Sequence, residues 1–543
     1  MANVSGVIPN LINGISQQPA IVRLPSQGEL QINAMGSPVE GLRKRPPTVF
    51  EFTAGGAAFA DTSILPHLID RSEGAKFQVL FSNRGIRATN LRTGEAVPVR
   101  VKDGAAAYLT CPNPTQDLRA LTVGDYTFVL NRTKTVATLP EMVPLYRPDA
   151  CIWIKQGSFG ASYTITIDGI SVTYKTPIRA ATEAEWTTGG RYVDEQGGVV
   201  AAPAAYTTVP PRGLPRYLTQ QLVSTDVIGE ALLGLLRNHP TLKDRYQFGR
   251  SGPLIRVLPN GSTTPRGTTY TDFTMSVTDS LGDTAVEGFK GKVQRFSDLP
   301  KYCFNGFRIK VMGDSNTEFD DYFVKFEGSK TSGTWVEDIT EGELYKMDPT
   351  TLPHALIRKA DGSFSFEALD WVERKAGDFK SNPMPTFVGR AMRDLFFYRD
   401  RLGFVTQENV VMSRYGDYFN FFRASAMQML DTDPIDVSVV HSRLSDIHHA
   451  VSYNETLLLF GKDAQFQIGD VDLLTPKTVS FKLVTEFSCS PTVKPTGMGS
   501  NLYFAFDRGS ASTIVEYYVD KQSVSKDGEE ITGHVPKFIP DSI

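Results

Sequence analysis

A unit of apolar strand, polar turn and apolar strand recurs along this chain, and it limits the folds open to it more than any other feature. Residues 77–81 and 86–91 flank the turn Ser82-Asn83-Arg84-Gly85, and residues 126–130 and 135–139 flank Asn131-Arg132-Thr133-Lys134. Further copies fall at 395–405 around Arg399-Asp400-Arg401, at 457–468 around Gly461-Lys462-Asp463, and at 502–518 around Asp507-Arg508-Gly509. Short runs of β-branched and aromatic residues, broken by Asn, Gly and charged turns, read as hairpins. Within each group the copies start roughly 45–60 residues apart, the spacing of β-propeller blades. The same hairpins can build a β-sandwich, but the spacing favours the propeller. The expected fold class is mainly β, with a β-propeller-like host domain.

Between the two groups the pattern changes. Residues 162–169 and 170–174 alternate around Asp168-Gly169, a hairpin signal. Residues 217–238 read as a helix, with Ile228, Leu232, Leu235 and Leu236 on one stripe. Thr225 or Asp226 would cap it, and Asn238-His239-Pro240 would end it. Strands are expected at 254–258, 307–311 and 322–326, and residues 180–211, rich in Ala, Gly and Thr, predict an exposed loop. This predicts an inserted α+β platform or tip region over 151–390. It separates first propeller hairpins at 51–150 from later ones at 391–543. Residues 534–543 carry no cap or charged tail, and five hairpins leave a propeller incomplete. The expectation is a chain that continues past Ile543.

Residues 1–50 hold six prolines and scattered apolar residues, among them Ile15, Leu24, Ile32, Leu42 and Phe50, with no period. Such a segment cannot form its own core. It is expected to be an extended arm lying against something else. The charge is balanced, 56 Lys+Arg against 60 Asp+Glu, which argues against holding nucleic acid by counterion release. Cys111, Cys151, Cys303 and Cys489 form no Cys-x-x-Cys motif and no disulfide framework. Apolar runs such as 457–460 are too short to span a bilayer. Residues 1–20 lack a secretory signal pattern. The expectation is a soluble chain made in a cytoplasm, without membrane insertion.

Few constellations suggest chemistry. Asp431, Asp433 and Asp436 crowd together, but an EF-hand needs Gly at position six and Glu at twelve, where Asp436 and Ser442 stand. Asp314, Asn316, Glu318, Asp320 and Asp321 fail the same test at Phe319 and Lys325. The first group reads as a Pro-containing turn and the second as an acidic surface loop. His448-His449 would point to opposite faces of a strand and cannot readily chelate one metal. No nucleophile elbow, phosphate loop or His-Glu-x-x-His is present, so neither catalytic, metal nor cofactor residues are expected. The basic run Arg43-Lys44-Arg45-Pro46-Pro47 suits either DNA phosphates or an acidic partner, or is simply solvated. Tyr415, Tyr418, Phe419, Phe421 and Phe422 are expected to pack between blades rather than stack on bases.

Gly14-Ile15-Ser16-Gln17-Gln18-Pro19, Arg23, Pro25, Gln27-Gly28 and Glu40-Gly41-Leu42-Arg43-Lys44-Arg45-Pro46-Pro47 resemble the opening of the tail tubular protein B, or nozzle, family of short-tailed bacteriophages. The likeness continues in Arg401-Leu402-Gly403-Phe404-Val405, Asp433-Pro434-Ile435-Asp436-Val437 and His534-Val535-Pro536, and is weakest over 180–300. Family members run well beyond the position of Ile543. The resemblance implies a structural virion protein of the tail, not an enzyme. Six propeller-based subunits would ring the DNA exit channel below an adaptor ring of tail tubular protein A type. Fibres or spikes would attach there, and loops in the lumen would gate DNA ejection. Double-stranded DNA would pass without sequence-specific binding. Gln17, Gln18, Arg23, Arg43, Lys44 and Arg45 would contact partners. The competing reading is a tail-borne polysaccharide depolymerase using paired carboxylates.

Overall fold

Two-residue turns with left-handed backbone set two of the hairpins. Asp168 and Gly169, at φ +48° and +78°, join strands Ser162–Ile167 and Ile170–Lys175. Arg399 and Asp400, at φ +45° and +53°, join Asp394–Tyr398 to Arg401–Val405. Positive φ at both turn positions matches the twist of the flanking strands. The computed structural model describes residues 10–53, 59, 63–178, 191–193, 199–201, 223–264, 267–312, 321–329, 332–439, 446–453, 455–468, 472–509, 511–519, 526–537 and 539. They are mainly β.

Five sheets follow one another. The first meander is Leu65–Asp70, Lys76–Ser82, Gly85–Asn90 and Ala96–Val97. A bridging sheet orders Val99–Val101, Phe364–Ala368, His354–Arg358, Tyr126–Asn131 and Leu118–Val123. The second meander is Asp394–Tyr398, Arg401–Val405, Asn409–Met412 and Ile435–Ser438. The third is Ile447–Tyr453, Thr456–Gly461, Gln465–Ile468 and Phe481–Thr485. The fourth is Thr496–Met498, Asn501–Arg508, Ala511–Val519 and Lys526–Glu530.

Side-chain alternation along the strands puts an apolar layer on each face of the middle sheets. Phe77, Val79 and Phe81 of the first meander share a layer with Val129, Leu356 and Phe366 of the bridging sheet. The opposite face of that sheet, with Phe128, Leu130 and Ala355, packs on Leu395, Leu402 and Phe404 of the second meander. Phe396, Val405 and Met412 then face Ala450, Leu459 and Phe466 of the third. Leu458 and Phe460 face Leu502, Phe504 and Tyr517 of the fourth. Phe421 and Phe422 are buried in the layer between the bridging sheet and the second meander, as the aromatic cluster predicts, while Tyr415 is exposed.

Residues 150–338, between Tyr126–Asn131 and His354–Arg358 of the bridging sheet in sequence, contain an eight-stranded sheet. Its order is Tyr246–Ser251, Leu254–Pro259, Ala150–Ile154, Val286–Lys290, Lys292–Val293, Arg308–Val311, Tyr322–Gly328 and Gly333–Asp338. Helix Thr225–Asn238 buries Ile228, Leu232, Leu233 and Leu236 against Ile152, Ile154, Tyr163 and Val257. Its cap is Ser224, whose Oγ accepts the Val227 N–H at 3.3 Å, not Thr225 or Asp226. The expected earlier start at 217–222 lies outside the described residues, as do most of 180–211 and the acidic run 314–320.

One hairpin is paired differently from expectation. Tyr126–Asn131 turns through Gly124 and Asp125 to pair with Leu118–Val123 and, on its other edge, with His354–Arg358. Residues 135–139 make only isolated bridges, to Ala391, Val388 and Met347. A strand buried on both faces needs two neighbours, and the nearer apolar segment reached Tyr126–Asn131 through the tighter turn. Sheet pairing therefore returns from the middle of the chain to residues 118–131 well before residue 390.

Candidate interaction surface and inner polar cluster

The arm is held to the rest of the chain by its backbone and one amide. The Gln17 N–H donates to His534 O at 2.9 Å, and Gln17 Oε1 accepts the Lys537 N–H at 2.8 Å. Ser16 is fully buried beneath this contact. Arg23 donates to Gln18 O at 3.0 Å and pairs with Glu29 at 3.3 Å, closing the loop that follows. Strands Ala34–Ser37 and Gly41–Lys44 form a hairpin over residues 10–12. A Cβ on Gly36 would sit 2.7 Å from Ile12 O, so this approach requires glycine. Arg43 pairs with Glu40 at 2.5 Å, and the Arg45 N–H donates to Asn33 O at 2.8 Å. Arg43, Lys44 and Arg45 are all exposed.

Most of the arm's apolar side chains face outward, while Leu11, Ile12 and Ile15 are half-buried. Ile21 is 94% exposed, Val39 93% and Phe50 78%, with Leu24, Leu30, Ile32 and Val49 also exposed. So many exposed large apolar residues on one segment suit an interaction surface. The expectation that the arm lies against something has a partial anchor at 534–537. The six singled-out residues divide accordingly. Gln17, Gln18 and Arg23 shape the arm's root, while Arg43, Lys44 and Arg45 project from its hairpin.

A second constellation, absent from the sequence reading, gathers where the first strands of the second and third meanders meet. Asp394 is fully buried, takes Lys494 Nζ at 2.9 and 2.8 Å on its two oxygens, and accepts the Ala450 N–H at 2.9 Å. Burial alone would raise its pKa. Lys494 and its hydrogen bonds outweigh that and hold the carboxyl below the usual carboxylate range. Residues 490–494 run past this point, tied by Arg119 to Thr492 O at 3.0 Å and by His449 Nε2 to Ser490 O at 2.9 Å. A carbonyl only accepts, so His449 donates through Nε2, and its buried Nδ1 has no partner. Burial pushes His449 down to about 3.

That histidine makes a pH prediction. Its folded value lies below the unfolded 6.5, so the unfolded chain binds the extra proton first. Stability is intact above pH 6.5 and falls as pH drops towards 3. His67, pushed down to about 4 by burial, acts in the same direction. Asp149, raised to about 6 by burial, acts oppositely between pH 3.8 and 6. From pH 7 to pH 5, His449 alone is expected to cost about 2 kcal/mol. Thermal melts of the His449→Gln variant should show a flatter acid limb than wild type. An unchanged limb would refute this assignment.

A cavity of about 420 Å³ opens beside the inserted sheet, lined by Tyr146, Asp149, Arg256, Lys290 and Lys310 among others. Its charges are already engaged: Arg256 with Asp149 at 3.0 Å, Lys290 with Asp272 at 2.7 Å and Lys310 with Asp321 at 2.7 Å. In the Asp431 group, Asp433 is buried and accepts the Leu430 N–H, the local turn bonding expected of it, and also the N–H of Ala424, nine residues earlier. Asp436 accepts the Thr386 N–H and hydroxyl. No helix among the described residues is long and apolar enough to cross a membrane.

A profile of the family described as bacteriophage nozzle protein matches residues 1–543. Over 550 aligned residues the chain is 34% identical to tail tubular protein gp12 of Escherichia phage T7, covering all of this chain and 63% of that protein. The chain thus spans less than two thirds of that relative's length. Solved structures with some likeness include the PQQ-bound aldose sugar dehydrogenase of Streptomyces coelicolor, at 11% identity and a TM-score of 0.18, covering 50% of this chain and 93% of that one. A protein from Lactobacillus plantarum matches at 12% identity and 0.19, covering 50% and 80%. Scores that low carry no argument. With the family profile spanning every residue and a tail tubular protein at 34% identity beside it, the chain belongs to the bacteriophage nozzle protein family.

Proposed function

We propose that this chain is the nozzle subunit of a short phage tail, a structural protein rather than an enzyme. The single observation that carries the reading is the family match over the whole chain. Six copies ring the DNA exit channel below an adaptor ring. Fibres or spikes dock at that junction, and lumenal loops gate ejection. The stack of four four-stranded meanders and one bridging sheet supports a β-propeller-like host, with the eight-stranded sheet as the inserted platform. Near-balanced charge suits a conduit, since strong phosphate binding would hold back sliding DNA. The depolymerase alternative has less support, because the cavity's carboxylates are bound to cations.

Under this reading the arm's basic hairpin and exposed apolar side chains meet a tail partner, with the adaptor as the first candidate. Immunoelectron microscopy of virions with an antibody to this chain tests the location: label confined to the tail below the head supports it, and label elsewhere or none refutes it. Arg43→Glu, Lys44→Glu and Arg45→Glu together should reduce incorporation of the protein into tails. The purified variant's stability should stay within about 0.5 kcal/mol, as for exposed sites. Undiminished incorporation would remove these residues from the interface.

A further inference from the structure

Cys151 lies in strand Ala150–Ile154, near the centre of the eight-stranded sheet, and Cys303 lies in the irregular segment between Asp298 and Arg308. Their sulfurs are 3.9 Å apart, and both side chains are buried under Phe289, Leu299 and Phe307. The two other thiols, Cys111 and Cys489, sit in separate apolar layers. All four are free.

We infer that Cys151 and Cys303 form a disulfide site, closed by a small disulfide oxidant when the chain leaves a reducing compartment. The timing rests on the proposed role in a virion; the bond itself does not. Sulfurs already in contact need only side-chain rotation and a slight shift to reach the roughly 2 Å of a disulfide. Strand Ala150–Ile154 is paired on both edges, so it holds Cys151 in place. The segment carrying Cys303 has no ladder on either side and is the part that opens.

The chemistry balances with oxidised glutathione. On opening, Cys303 loses its proton to water and its thiolate attacks the glutathione disulfide, releasing one glutathione thiolate. As the segment closes, Cys151 Sγ attacks the Cys303 sulfur of the mixed disulfide, its proton passes to the departing glutathione sulfur, and the second glutathione leaves as a thiol. Two protein thiols are oxidised, and one glutathione disulfide is reduced to two thiols. The bond joins residues 152 positions apart, so it restrains a long loop of the unfolded chain.

The test incubates the purified native chain with oxidised glutathione, blocks remaining thiols under denaturing conditions, and maps unreduced peptides by mass spectrometry. Four blocked thiols should become two, with a Cys151–Cys303 linked peptide. The melting midpoint should rise by about 5 °C. Cys303→Ser should keep all three of its thiols. If the wild type keeps four thiols while the urea-unfolded chain oxidises under the same conditions, the inference fails. It fails equally if only glutathione adducts or other pairings appear. The peptide map of the wild type decides the matter even if the variant does not fold.

Discussion

Replacing Arg401 by alanine is expected to cost on the order of 3–5 kcal/mol. Arg401 is 1% exposed, the largest of the fully buried side chains among the described residues. Its guanidinium donates to Ser413 O and Asp433 O at 2.7 Å and to Asp431 O at 3.0 Å. These carbonyls belong to the long connection between the third and fourth strands of the second meander, which has no ladder of its own. Alanine would leave two buried acceptors, Ser413 O and Asp433 O, and the part-buried Asp431 O without this donor, and open a cavity where the guanidinium lies. Lysine would restore the charge but not the planar fork, so Arg401→Lys should recover only part of the loss. Denaturant midpoints at constant m-value measure both. A loss below about 1 kcal/mol for Arg401→Ala would mean that water or a shifted backbone replaces the fork.

Arg401 shows where the sequence is legible and where it is not. The hairpin containing it was readable, because residues 395–398 and 402–405 are apolar runs around a charged turn, a purely local signal. So was the turn around Asp433, because short carboxylates beside proline bond their own backbone. Nothing in either segment reports that Arg401 caps that turn from about 30 residues away. The pairing of Tyr126–Asn131 was misread for a related reason. Residues 135–139 alternate as well as 118–123 do, and the true second neighbour, His354–Arg358, lies more than 200 residues downstream. Helix Thr225–Asn238 is legible from its stripe, but Thr225 and Asp226 are equally good capping residues by type, and the cap falls instead on Ser224, which alone has the extended backbone and accepts the Val227 N–H. For the candidate site the same limit holds. The arm was visible as prolines with apolar residues out of period, and its individual contact residues only through family likeness. The cluster of Asp394, His449 and Lys494 joins two strands and a connecting segment, so no spacing announces it.

That cluster carries the second large effect, and its two ends should not respond equally. Lys494 is 35% exposed, whereas Asp394 is fully buried. Asp394→Asn leaves a lysine that can swing into water and an amide oxygen that still accepts the Ala450 N–H. The expected loss is about 1–2 kcal/mol. Lys494→Ala leaves an ionised carboxylate inside the protein without its counter-ion, and the expected loss is about 3–5 kcal/mol. Acid then distinguishes the two variants. Without Lys494, burial dominates and the folded pKa of Asp394 rises above its unfolded value, so the folded state takes up a proton first. Part of the lost stability of Lys494→Ala should therefore return as pH falls from 7 to 5, relative to wild type, while Asp394→Asn shows no such recovery. The double variant should resemble Asp394→Asn at every pH, because no buried charge remains to be stranded. Equal losses for the two single variants, or a gap between Lys494→Ala and wild type that does not narrow in acid, would mean that Asp394 reaches solvent and does not tie the second and third meanders to the segment carrying Lys494.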